Sequence, residues 1–110
     1  MRHYIELNNM DEDYEGLKEK IESFYGQPFE LILETKHITK VSYVMVIDFS
    51  FFLRYLKTKE PHLTYTTILV YSEYIYNLLS ILFTYLARPM APVKVLYFES
   101  ELKYIKTYYP

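Results

Sequence analysis

The apolar and polar positions of this 110-residue chain repeat with two different periods. Thr66 to Tyr71 and Val93 to Phe98 are runs of β-branched and aromatic residues, the composition of buried strands. Between them the period becomes helical. Ile75, Leu78, Leu79, Leu82 and Leu86 share one face, and Glu73, Asn77, Ser80, Thr84 and Arg88 line the opposite one. Ser72 stands at the N-cap position with Glu73 as first-turn acid, and Arg88, Pro89 and Pro92 close the helix. Strand, crossover helix and second strand pack on one sheet as a right-handed parallel unit, so Tyr65 to Phe98 predicts an α/β layer.

Upstream, Tyr4 to Leu7 is a short strand. A helix over 11–25 follows, with Asn9 and Glu12 at capping-box spacing, Tyr14, Leu17, Ile21 and Phe24 on one face, and Gly26 at its end. Phe29 to Glu34 has a continuous apolar centre suited to burial on both faces of a sheet. The segment 42–57 reads as a helix with two apolar stripes. Met45, Phe49, Phe52, Leu53 and Leu56 would face the sheet; Val44, Ile47, Phe51 and Tyr55 fall on the other side, interrupted by Asp48. The β-branched composition of Val41 to Ile47 leaves a second reading open, a hairpin strand at 41–47 followed by a short helix. After Phe98, Ser100 would cap a short final helix carrying Leu102, Ile105 and Tyr108. The expected fold is one α/β domain over residues 1–110, a small mostly parallel sheet of about four strands with helices packed on it.

Half the residues are apolar or aromatic and 24% are charged, which points to a globular domain rather than a disordered or membrane-embedded chain. The charge is uneven: residues 1–30 carry eight acids and three bases, residues 31–110 six acids and nine bases. Neither half has the basic surplus that binding a phosphate backbone requires, so nucleic acid is not an expected partner. The amino terminus lacks an apolar signal-like region, and Tyr74 to Ala87 is too short to span a bilayer; the expected setting is the cytoplasm.

Without cysteine there is no disulfide, thiolate nucleophile or Cys-type metal site. Gly16 and Gly26 are the only glycines, so a dinucleotide fingerprint and a P-loop are absent. His3, His37 and His62 lack metal-ligand spacing, and Ser42, Ser50, Ser72 and Ser80 lie in no nucleophile elbow. Asp48 stands out by interrupting an apolar stripe, which a solvated helix position also explains. No cofactor is implied, and no group pairs a nucleophile with a base.

The succession from Phe29 to Phe98 resembles the STAS, or anti-sigma-factor-antagonist, superfamily. FELILETKHITKVS looks like the family's strand leading to its signature loop, and TTILVYS resembles the next strand. VKVLYFESELKYI is similar to the closing strand with its terminal helix, and DEDYEGLKEKIESFYGQPFELIL to the opening helix of the SpoIIAA-like branch. In that superfamily the loop carries D-S-S-G or D followed by S or T, and its hydroxyl is phosphorylated to switch partner binding. Here Val41, Ser42, Tyr43 and Val44 stand in that place; the acid and glycine are absent, and Ser42 alone carries over, as a hydroxyl at a helix N-terminus for phosphorylation or capping.

The resulting expectation is a non-enzymatic protein–protein interaction domain, regulatory or scaffolding, binding a protein partner or itself as a homodimer. Its expected surface is the outer stripe Val44, Ile47, Phe51 and Tyr55. Coverage of that stripe from within the chain is the competing reading. A small apolar-ligand or lipid carrier is the alternative function, since Tyr- and Phe-rich helices over a sheet can leave a pocket.

Overall fold

Each strand pairs with the next strand along the chain. The computed structural model describes residues 2–7, 10–24, 26–38, 43–59, 62–89 and 91–110, with the side chains of all of these except 10–14, 43 and 55–59. Its elements are β1 (Arg2–Glu6), α1 (Met10–Glu22), β2 (Phe29–Glu34), α2 (Tyr43–Lys59), β3 (Leu63–Val70), α3 (Glu73–Ile81), a π-helical turn (Leu82–Leu86), β4 (Val93–Glu99) and β5 (Leu102–Tyr108). The sheet order is β1-β2-β3-β4-β5; the first three pairings are parallel and β4–β5 is antiparallel. The α/β class and the mostly parallel sheet are as expected, with five strands instead of about four. α2 is a continuous helix from Tyr43, so the hairpin reading of 41–47 does not hold for its described part, 43–47.

The added strand is the largest correction. Residues 102–108 form β5 and not a helix, and the terminal helix implied by the STAS resemblance is likewise replaced. Seven residues with apolar side chains at 102, 105 and 108, but also at 102, 104 and 108, fit either period; pairing along the whole of β4 selects the strand. Ser100 is therefore a hairpin residue, at φ 51°, in the left-handed region where its Cβ is disfavoured.

The core lies on one face of the sheet. Ile5, Phe29, Leu31, Leu33, Ile68, Val70, Val93, Val95 and Tyr97, alternate residues of successive strands, join Leu17 and Ile21 of α1, Phe49 and Leu53 of α2, and Ile75 and Leu79 of α3 in one buried cluster. Sequential right-handed crossovers put every connecting helix on the same side, which accounts for the one-sided core. α2 occupies the middle of that layer. Lys18 of α1 pairs with Asp48 at 3.5 Å on one flank, and Arg54 donates to the Arg88 carbonyl at 2.9 Å on the other. Of the second stripe of α2, Ile47 packs against the core cluster and Phe51 is half-buried, while Val44 is exposed.

The expected core face of α2 is turned by about one residue. Val46, Phe49, Ser50 and Leu53 are buried, while Met45 and Phe52 are half-buried; the Leu56 side chain lies outside the described ones. Ser50 is accommodated by donating to the Val46 carbonyl at 2.9 Å. In α3 the expected face holds for Ile75, Leu79 and Leu82 and then slips. Ala87 N–H donates to the Leu82 carbonyl at 2.6 Å, closing a wide turn. That extra residue per turn buries Phe83 and Ala87 and leaves Leu86 58% exposed. Ser72 is the α3 N-cap as expected, with extended backbone, but its side chain makes no capping bond.

Candidate functional site

The pleat sends alternate residues of each strand away from the helices, and among the described residues no element packs on that second face. Cross-strand register gives it an apolar centre. Leu69 of β3, Leu96 of β4 and Ile105 of β5 are successive partners in one row; Ile32 lies one same-face step before it on β2 and Tyr65 two steps before it on β3. Ile105 is 54% exposed, and Ile32, Tyr65, Leu69, Leu96 and Phe98 are half-buried. The flanks carry opposite charge. Arg2, Glu6, Glu30 and Glu34 lie on β1 and β2, with Arg2 paired to Glu30 at 3.4 Å; Lys94 and Lys103 lie on β4 and β5. The acidic amino-terminal and basic carboxy-terminal parts of the chain thus become the two halves of one surface.

At the carboxyl ends of the parallel strands this face holds a buried carboxylate. Glu34 is 7% exposed although its side chain points away from the core. Tyr71 and Tyr4 donate hydroxyl hydrogen bonds to its Oε2 at 3.0 and 3.3 Å, and the Lys36 N–H donates to Oε1 at 3.0 Å. Burial, then the Glu34 hydrogen bond and charge, then Tyr4, push the Tyr71 phenol up to about 12. The Tyr4 phenol is raised as well, by burial first and then by Glu34 and Glu6. Both phenols keep their protons at neutral pH and act as donors, which suits a structural clamp and not a general base. Tyr71 also stacks on Phe98 at 5.4 Å, and the Lys103 ammonium lies 6.0 Å from the Phe98 centroid.

The structure describes the side chains of three of the four residues expected to bind a partner. Val44 is 72% exposed, whereas Ile47 packs against the core cluster and Phe51 is half-buried. The Tyr55 side chain and Ser42 lie outside the described residues. Asp48 is exposed and forms the ion pair with Lys18 already noted. His3 stacks on Phe24 with centroids 3.5 Å apart and planes 2° from parallel, packing β1 against the end of α1. Among the described residues no three His, Asp or Glu side chains are grouped as a metal site would need. No described helix is long and apolar enough to cross a membrane.

The sheet face was missed because a strand pattern does not say which side the helices take. One signal for it was present: Ile32, Leu69 and Leu96 keep their strands apolar at positions that alternation would make polar in a half-covered sheet.

Comparison with protein-family models, with curated proteins and with solved structures returned no match. The fold and surface define a class by themselves: a sequentially wound α/β domain with helices on one sheet face and, among the described residues, no element on the other.

Proposed function

We propose that this chain is a non-enzymatic interaction domain that associates with a second copy of itself through the bare sheet face. The observation that carries the reading is the apolar row Leu69, Leu96 and Ile105 at the centre of that face. Parallel sheets are ordinarily covered on both sides, and here Ile32, Leu69, Leu96 and Phe98 lie on the face of β2, β3 and β4 against which no described helix packs.

Charge complementarity selects a second copy as the occupant. A two-fold axis running along the strands lays β1 and β2 of one molecule over β5 and β4 of the other. Glu6 and Glu34 then approach the partner's Lys103 and Lys94, twice over by symmetry. Sheets packed this way stand about 10 Å apart with their inner side chains interleaved. Five strands about 4.8 Å apart and about 20 Å long present roughly 480 Å² in plan. That is small beside the ~800 Å² per partner of a standard interface, so the dimer is expected to be weak and concentration-dependent.

A regulatory or scaffolding role in the cytoplasm, and kinship with the STAS superfamily, belong to the same proposal. The alternation of strand and helix from Phe29 to Phe98 supports the kinship. The apolar-carrier alternative rests on no comparable observation.

Sedimentation velocity over a concentration series tests the reading, with wild type beside Ile105→Glu and Val44→Glu. Wild type and Val44→Glu are expected to dimerise, and Ile105→Glu to stay monomeric with an unchanged circular dichroism spectrum. Wild type that is monomeric at every concentration, or an Ile105→Glu variant that dimerises like wild type, overturns it.

A further inference from the structure

On the helix side, where α3 begins and β4 ends, the structure leaves a groove of about 200 Å³ lined by Glu73, Tyr76, Asn77, Tyr97, Glu99 and Tyr104. Its wall is a row of flat rings. Tyr76 stacks on Tyr97 with centroids 5.1 Å apart and planes 27° from parallel, and Tyr97 stacks on Tyr104 at 5.7 Å and 24°. The middle ring is 6% exposed, and the last, Tyr104, is 43% exposed.

The groove is also negatively charged. Glu73 and Glu99 bring two carboxylates to it, and none of the ion pairs among the described residues involves either. The neighbouring β5 lysines are engaged elsewhere: Lys103 lies over Phe98 on the opposite sheet face, and Lys106 donates to Ser80 at 3.4 Å. The amino end of α3 contributes roughly half a positive charge, less than the two carboxylates together. Burial raises the Tyr97 phenol first, followed by Glu99, Glu73 and Tyr104, so both carboxylates act on the central ring.

We propose that this groove binds a guanidinium group, which stacks on Tyr104 as a further flat member of the ring row and directs its N–H fork to the Glu99 carboxylate. Glu73 supplies the second negative charge, and the Asn77 amide oxygen is a further acceptor. An ammonium ion gains the charge attraction but has no plane to continue the stack, so guanidinium is preferred. The site is separate from the bare sheet face and does not depend on self-association.

The test is a titration of the full chain, followed by the ring resonances of Tyr76 and Tyr97, which remain in every variant, with N-acetylarginine amide, N-acetyllysine amide, ethylguanidinium and a capped pentapeptide carrying one arginine. The arginine compound is expected to give a saturable shift and to bind more tightly than the lysine compound. Glu99→Gln and Tyr104→Leu, both at exposed positions, are each expected to weaken it by about tenfold while the remaining spectrum is retained. Tighter binding of the peptide than of ethylguanidinium assigns the group to a protein side chain; equal binding assigns it to a small free cation. No saturable shift with any guanidinium compound, lysine binding as tightly as arginine, or affinity unchanged in both variants overturns the proposal.

Discussion

The Tyr71 hydroxyl, at the end of β3, donates to Oε2 of Glu34, at the end of β2, across 3.0 Å. That bond, with a second from Tyr4, keeps a carboxylate 7% exposed on a sheet face that no described element covers. Its titration behaviour is open to measurement. A phenol raised to about 12 in the folded protein keeps its proton when the unfolded chain, near 10.0, has lost it. The stabilisation is therefore fully present below about pH 10 and is lost as pH rises towards 12. The difference between alkaline absorbance titrations of wild type and Tyr71→Phe is expected to show this late ionisation. In a Glu34→Gln background it is expected to fall part of the way back, because burial, the largest cause, remains.

The π-helical turn after α3 makes a prediction that a regular helix would reverse. Phe83 is 2% exposed and Leu86 58% exposed. Phe83→Ala is expected to cost about 3–5 kcal/mol in urea unfolding, and Leu86→Ala less than about 0.5 kcal/mol. A helix without the wide turn would turn Leu86 to the core, so equal losses for the two variants would contradict the phase shift.

Ser100 holds a left-handed backbone in the β4–β5 hairpin at φ 51°. Glycine relieves its Cβ at that position, and Ser100→Gly is expected to raise stability by about 0.5–1 kcal/mol. Ser100→Val, β-branched, is expected to lower it. Thermal unfolding of the three proteins reads both signs.

Self-association through oppositely charged halves should respond to salt. Raising ionic strength from about 0.01 M to 0.15 M shortens the screening length from about 30 Å to 8 Å, and the dimer is expected to weaken accordingly. Lys103→Glu, on the strand that lies over the partner's Glu6, is expected to weaken it further at low salt. Adding Glu6→Lys, the opposite reversal on the other half, is expected to restore part of the loss, as sedimentation equilibrium would show.

Much of this protein can be read from local pattern. β2 occupies Phe29–Glu34 as its composition predicts, Ser72 precedes α3, and the period change between Val70 and Ile75 marks the turn from strand to helix. These features depend on neighbours in sequence, whose propensities and periodicity agree with the final structure. Where the period was ambiguous, distant contacts chose. Leu102–Tyr108 became a strand because β4 offered an unpaired edge, and α2 turned its core face to Val46, Phe49 and Leu53, with Ser50 buried among them. The surface followed the same rule. Alternation in a strand separates two faces without naming which one the helices cover; only sequential winding, which sends every crossover to one side, left Leu69, Leu96 and Ile105 bare and brought the acidic start and basic end of the chain together on one sheet.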